Sequence, residues 1–266
     1  MNTPHPQRAV QRVRHTLKAR LLEVRRTQRL SPHFVCVTFA GEALQDFVSA
    51  SFDDHVKLML PPAPGVPLVM PQRGPDGPVL PAGATPPTMR DYTPRRFDPT
   101  TGELDIEFAL HGEGPAASWA AQAQPGQTAG VGGPRGSFVI PNDYDWHLLI
   151  GDESALPAIA RRLEELPDST RAIVLIETGD AADRRTFNTQ AQLQLQWVER
   201  GAAGGLAEAT RRLTLPPGEG YAWAAGEAAA IALTRQVLVD THGLDKDHIR
   251  AAAYWKRGEK AHHENL

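Results

Sequence analysis

Apolar and polar residues alternate in short bursts through the first half of the chain, and the period changes near residue 141. The β-rich runs before that point are 21–29, 34–39, 55–60, 90–96, 103–110, 128–131 and 137–140, each closed by turn-forming residues. Within 103–110, Leu104, Ile106 and Phe108 fall on one face of a strand. Short, punctuated strands of this kind predict an antiparallel barrel or sandwich. Residues 61–88 contain ten prolines and four glycines, too many for a helix or a central strand. They are expected to form a long loop, of a length found in functional or disordered segments.

Beyond residue 141 the pattern becomes that of alternating strands and helices. Residues 146–150 form a continuous apolar strand. Leu156, Ile159, Leu163 and Leu166 then recur at helical spacing, with Pro157 tolerated because it lies in the first turn. Further strands are expected at 172–177, around Leu193, Leu195 and Trp197, at 221–225 and at 249–254, with a helix over 227–241. This order predicts a doubly wound, mostly parallel sheet whose ligands bind at the carboxyl ends of its strands. The 266 residues suit two domains of roughly 100 to 150 residues. The expected division is an N-terminal arm over 1–19, an antiparallel Greek-key β-barrel over 20–143 and an α/β domain over 144–266.

The formal net charge of −3 gives no global attraction to nucleic acid or anionic lipid. Residues 1–20 carry Arg8, Arg12, Arg14, Lys18 and Arg20 without an acid, but lack the apolar stretch of an export signal. The arm reads as a solvated, partly disordered tail. No segment has the roughly 18 apolar residues of a membrane span. A soluble, cytoplasmic monomer is expected. The single cysteine, Cys36, excludes an internal disulfide and reads as an inert, buried thiol.

Several segments carry candidate chemistry. On one strand Arg90 and Tyr92 face the same side, so a cation and a ring can engage two ends of one ligand, although an ordinary strand accounts for the spacing as well. Residues 112–119 follow a strand and open a helix, where free N–H groups favour phosphate; a plain Gly-Pro turn is the alternative. His111-Gly112-Glu113 matches a zinc-deaminase element, but one cysteine cannot provide its Pro-Cys-x-x-Cys partner, which argues against zinc. Gly130-Val131-Gly132-Gly133-Pro134-Arg135-Gly136 imitates a dinucleotide fingerprint with its last glycine displaced. The better nicotinamide-side candidate is Gly151-Asp152-Glu153-Ser154-Ala155-Leu156-Pro157, where Asp152 and Ser154 serve either a nucleotide or the helix cap. Its two acids would repel a pyrophosphate. Glu177 favours the free ribose hydroxyl of NADH, whereas Arg184 and Arg185 favour the extra phosphate of NADPH. Gly226, in Ala225-Gly226-Glu227, permits close backbone approach in a βα turn.

Taken together, Asp53-Asp54-His55-Val56-Lys57, Arg90-Asp91-Tyr92-Thr93-Pro94-Arg95-Arg96-Phe97, His111-Gly112-Glu113-Gly114-Pro115-Ala116-Ala117-Ser118-Trp119, Gly133-Pro134-Arg135-Gly136-Ser137 and Tyr254-Trp255-Lys256-Arg257-Gly258 resemble the siderophore-interacting branch of the ferredoxin-reductase superfamily. The resemblance runs from about residue 20 to 264, and Arg90-x-Tyr92-Thr93 is its most diagnostic part. It implies an FAD-binding barrel in which Arg90 meets the pyrophosphate, Tyr92 the isoalloxazine and Thr93 the flavin near its reactive nitrogen. His111, Gly114, Ala116, Ser118 and Trp119 belong to the same cofactor site. The resemblance also implies an NAD(P)H domain with Asp152, Ser154, Glu177 and Gly226 on the nucleotide side. Lys57 and Arg135, and more remotely Lys256 and Arg257, would meet an anionic ferric siderophore. The expected activity is NAD(P)H-dependent ferric-siderophore reduction through FAD, with flavin-centred chemistry and no protein nucleophile or general base. Two alternatives remain open: electron delivery to a protein carrier, or chelate binding without turnover.

Overall fold

The computed structural model describes residues 8–74, 77–110, 114–259 and 264–265. The chain divides into two compact units, Gln11–Val139 and a second that combines Ile140–Leu266 with the stretch ending at Val10.

The first unit contains β1 (Gln11–Arg14), β2 (Ala19–Ser31), β3 (Phe34–Ala40), β4 (Val56–Leu60), β5 (Gln72–Gly74), β6 (Gly77–Val79), β7 (Thr88–Tyr92), β8 (Arg96–Asp98), β9 (Glu103–Ala109), α1 (Pro115–Ala121), β10 (Thr128–Gly132) and β11 (Gly136–Val139). Seven strands form a curled antiparallel half-barrel in the order β7-β4-β10-β2-β3-β9-β8, while β1-β11 and β5-β6 are separate pairs. Period-two patterning accounts for the curl: Leu22 and Val24 of β2 point inward between exposed Leu21, Glu23 and Arg25. The inward faces of β3, β4, β9 and β10 join them in one core with Phe39, Leu58, Phe108 and Val131. Helix α1 packs on β3, β7 and β9 through Ala116 and Ala120, and opens with Pro115 in its first turn, where the missing N–H costs nothing.

The predicted run over 90–96 breaks into β7 and β8, because Thr93-Pro94-Arg95 turns the chain from one edge of the sheet to the other. The Pro/Gly-rich stretch is not wholly irregular, since β5 and β6 pair within it and Met70 packs over Gly130 of β10. The expectation of a solvated N-terminal tail needs correction from residue 8 onward. The Arg8 guanidinium bonds Asp145 and Glu219 at 3.3 and 3.1 Å, residues 11–14 pair with β11, and Arg20 is buried against Asp46 at 2.9 Å. Carboxylate partners hold Arg8 and Arg20, and strand pairing orders residues 11–14, whose side chains stay exposed as composition alone suggested.

The second unit contains β12 (Trp146–Gly151), α2 (Leu156–Glu165), β13 (Arg171–Thr178), β14 (Gln192–Glu199), α3 (Gly205–Arg211), β15 (Gly220–Glu227), α4 (Ala228–Asp240), β16 (Ile249–Trp255) and β17 (Glu264–Asn265). The sheet order is β14-β13-β12-β15-β16-β17, parallel except for β17. Every residue of β12 is buried, as expected for a central parallel strand covered on both faces. The chain winds outward from β12 in one direction and from β15 in the other, so the switch point lies where β12 and β15 end.

Candidate functional site

In the first unit, register decides which side chains share a face. Tyr92, Arg90 and Thr88 lie opposite Val56, Leu58 and Leu60, so the Arg90 and Tyr92 side chains leave edge strand β7 on the core side of the sheet. The Tyr92 ring rests against Phe108 with centroids 4.4 Å apart, and Trp119 of α1 lies 6.1 Å from the same Phe108 ring. Tyr92 is partly buried with some surface left exposed, so a ring buttressed on one side remains available to a planar ligand. Burial raises its phenol pKa, which keeps it protonated. Arg90 is half-buried and donates to the Met89 carbonyl at 2.7 Å; among the described residues it has no carboxylate partner. Thr93 is buried beside them. Helix α1 begins at Gly114 without a side-chain cap, and space is open around that glycine. Ala116 is buried, Ser118 is exposed and Trp119 is half-buried. His111 lies outside the described residues.

An uncompensated, half-buried guanidinium, a supported aromatic face and an uncapped helix start fit a ligand that is anionic at one end and flat at the other. FAD is such a ligand. Cys36 does not compete as a reactive group: burial, with Asp105 and Glu107 nearby, pushes its thiol up to about 12.

The switch point of the second unit is built differently. Asp152, directly after β12, accepts four hydrogen bonds: from the Ser154 N–H at 2.9 Å, the Ser154 hydroxyl at 2.5 Å, the Glu227 N–H at 2.9 Å and the Trp255 indole at 2.8 Å. It is 3% exposed. Gly226 has φ of 152°, and a Cβ there would lie 2.7 Å from the Asp152 carboxylate, so only glycine lets β15 pass so closely. Glu153, 1% exposed, accepts from the Gly179 N–H at 2.6 Å and pairs with Arg200. Arg200 also reaches Glu177 at 3.3 Å, and burial raises the Glu177 carboxyl. The turn amides that a phosphate would seek are therefore bonded to the chain's own carboxylates. Asp152 caps the short 3-10 turn Glu153–Ala155 by accepting from Ser154, whereas α2 itself starts from Ala155 without a side-chain cap, so the helix-cap role is met by Asp152 at the turn and not by Ser154. A pyrophosphate does not fit the ordinary seat at the start of α2.

The four cations expected on the substrate side have different surroundings. Lys57 and Asp91 are cross-strand neighbours with an ion pair at 2.7 Å, on the sheet face opposite Arg90 and Tyr92. Arg135 is exposed after the cis Gly133-Pro134 peptide, and Gly132, three residues before it, pairs with Lys57. This brings Lys57 and Arg135 to one edge of the first unit. In the second unit Lys256 pairs with Glu259 at 2.5 Å, and the Arg257 N–H reaches Glu227 at 3.4 Å. Of the NADPH-side candidates, Arg184 is exposed and Arg185 lies over the Phe187 ring. Sequence reasoning missed Arg200 and the Trp255 indole. Both act across strands far apart in sequence; Trp255 stood in a segment that carries the family resemblance, but with no sign of its contact to Asp152, and Arg200 carried no signal beyond its position after a strand.

The family model described as siderophore-interacting FAD-binding domain matches residues 23–138, and that described as siderophore-interacting protein matches 144–258. The chain is 38% identical over 261 residues to the NADPH-dependent ferric-chelate reductase of Escherichia coli (strain K12), covering 96% of this chain and 98% of that protein. It is 35% identical over 253 residues to the ferric vibriobactin reductase ViuB of Vibrio cholerae, covering 92% and 93%. Among solved structures, a siderophore utilization protein from T. fusca superposes with a TM-score of 0.86 at 36% identity, covering 96% and 98%.

Proposed function

Because the chain belongs to the siderophore-interacting protein family, we propose that it is an FAD-dependent ferric-siderophore reductase that takes its electrons from NAD(P)H. The observation that carries this reading is the pairing, on one face of β7, of a half-buried Arg90 that has no carboxylate partner among the described residues and a Tyr92 ring buttressed by Phe108. Arg90 would hold the pyrophosphate, with Gly114, Ala116 and Ser118 offering backbone and hydroxyl donors at the start of α1. Tyr92 and Thr93 would orient the flavin ring. Bound there, FAD supplies the exchange between a hydride and the single electrons that a ferric centre accepts.

The chain's own residues then bind and orient. The Arg135 guanidinium attracts the anionic chelate, Lys57 being free to join it only as its Asp91 pair opens, and no proton-transfer residue is required of the protein. The nicotinamide donor is held without the pyrophosphate seat that Asp152 and Glu153 fill, so recognition falls to the strand-end surface around Glu177 and Gly226. A nicotinamide donor supports a cytoplasmic setting for the reaction. No described helix is long and apolar enough to cross a membrane.

Anaerobic stopped-flow absorbance of the FAD-loaded protein tests the reading, with NADH or NADPH added before a panel of ferric catecholates and hydroxamates and an iron(II) trap. Bleaching by a nicotinamide followed by chelate-dependent reoxidation and trapped iron(II) is expected. Bleaching without reoxidation by any chelate would instead make a protein carrier the electron acceptor.

A further inference from the structure

The N-terminal segment, whose basic composition predicts a tail, is laid directly against the Arg135 turn. Val13 and Arg14 pair with Ser137 and Gly136, the His15 N–H donates to the Arg135 carbonyl at 3.1 Å, and the Gly133 N–H donates to the Lys18 carbonyl at 3.0 Å. A Cβ at residue 136 would meet the Val13 carbonyl at 2.6 Å, so Gly136 is what lets the two segments close. Arg14, His15, Leu17 and Arg135 line a groove of about 490 Å³ on this surface.

Three of the four lining residues are basic and none is acidic. Among the described residues neither Arg14 nor Arg135 has a carboxylate partner, whereas nearby Lys18 is neutralised by Asp46 and Lys57 by Asp91. His15 is oriented from behind. The buried Ser137 hydroxyl donates to Asp54 at 2.8 Å and accepts from the Ala50 N–H, so the His15 Nε2 contact at 2.7 Å is a donation to Ser137. The proton is thereby placed on Nε2, which leaves Nδ1 without a protein partner among the described residues. Leu17, 55% exposed, adds an apolar wall.

We propose that this groove is an anion subsite for the ferric chelate, in which Arg14 and His15 join Arg135 to receive one catecholate arm, its ring against Leu17 and its oxygens toward the cations. The assignment rests on the reductase reading, which already gives Arg135 to the anionic chelate, and adds to it two residues of the N-terminal segment, Arg14 and His15, that recognise it. Guanidinium groups suit paired catecholate oxygens because the fork donates two parallel hydrogen bonds.

The test is calorimetric titration of the flavin-loaded full chain with redox-inert gallium(III) complexes, one of an anionic tricatecholate and one of a neutral trihydroxamate. Arg14→Ala should weaken the tricatecholate about tenfold, the loss of one charge-assisted contact, and leave the trihydroxamate unchanged. Arg14→Lys should recover part of the loss, and Arg25→Ala, which removes an equal charge from β2, should have no effect. If Arg14→Ala binds the tricatecholate as wild type does, or weakens both chelates equally, the subsite is wrong while wild-type turnover of ferric chelate leaves the reductase reading standing. If wild type binds neither gallium complex and reduces neither ferric counterpart, both fail together.

Discussion

Asp152→Asn separates a structural carboxylate from a nucleotide contact, because the variant keeps the shape and changes only what the donors meet. One carboxylate oxygen accepts from the Ser154 amide and hydroxyl, and the other from the Glu227 amide and the Trp255 indole. An asparagine offers one oxygen and one NH2. With its oxygen kept on the Glu227 amide and the Trp255 indole, its NH2 faces the Ser154 hydroxyl, which can rotate and accept, and the Ser154 amide, which is stranded. A stranded buried donor costs about 1–3 kcal/mol. Burial raises the Asp152 carboxyl pKa, so the neutral amide recovers part of that loss by removing a buried charge. The net expectation is about 1–2 kcal/mol of lost stability, in the absence of any nucleotide. Urea denaturation followed by tryptophan fluorescence suits the measurement, since Trp146, Trp197, Trp223 and Trp255 all lie in the second unit. A variant as stable as wild type but with a raised KM for the nicotinamide donor would refute the reasoning and restore Asp152 to the nucleotide.

Arg90→Ala should lower FAD affinity at least tenfold, the scale of one charge-assisted hydrogen bond, as read by flavin fluorescence on reconstitution; full retention would remove Arg90 from the cofactor site. His147, 1% exposed on β12, has its pKa pushed down to about 3 by burial. The unfolded chain therefore binds the proton first as pH falls, and stability drops between the unfolded value near 6.5 and the folded value. Between pH 7 and 5 wild type should lose about 2 kcal/mol more than His147→Gln, and equal losses in urea titrations would argue that the ring is solvated. Gly226→Ala should destabilise the second unit by about 1–3 kcal/mol, because the new Cβ is both strained and driven into Asp152; an unchanged urea midpoint would contradict the close approach.

The fold was legible because period two and period 3.6 each dominate one half of the chain. The continuous apolar run at 146–150 and the Leu156, Ile159, Leu163 repeat are local signals, and both became the elements they predicted. Helix α3 was not foreseen. Its start at Gly204 and Gly205, both with positive φ, reads locally as a loop, and Leu206 and Ala209 show their inward face only once packed beneath the sheet. Strand β1 was hidden for a related reason: Gln11, Arg12 and Arg14 are all polar, and pairing with β11 comes from backbone hydrogen bonds that side-chain patterning does not report. For the site, Arg90 and Tyr92 were placed on one face by alternation alone. Nothing in the spacing of Asp152 showed that Glu227 and Trp255, 75 and 103 residues away, would exhaust its acceptors.

The two units treat their polar groups in opposite ways, and the contrast bears on how each meets its ligand. At the second unit's switch point, amides that in a phosphate-binding turn await a ligand are satisfied by Asp152 and Glu153. That turn is complete by itself, so its fold needs no nucleotide, and an arriving dinucleotide gains little from its pyrophosphate there. Such a surface suits a donor that binds briefly and departs after each hydride. In the first unit Arg90 is half-buried with, among the described residues, a neighbouring carbonyl as its partner, and α1 begins without a side-chain cap. A cation so placed is stabilised chiefly by an anion that stays, because each release would return a desolvated charge to an uncompensated state. The same accounting of donors and acceptors therefore matches a resident flavin on the first unit and a transient nicotinamide on the second.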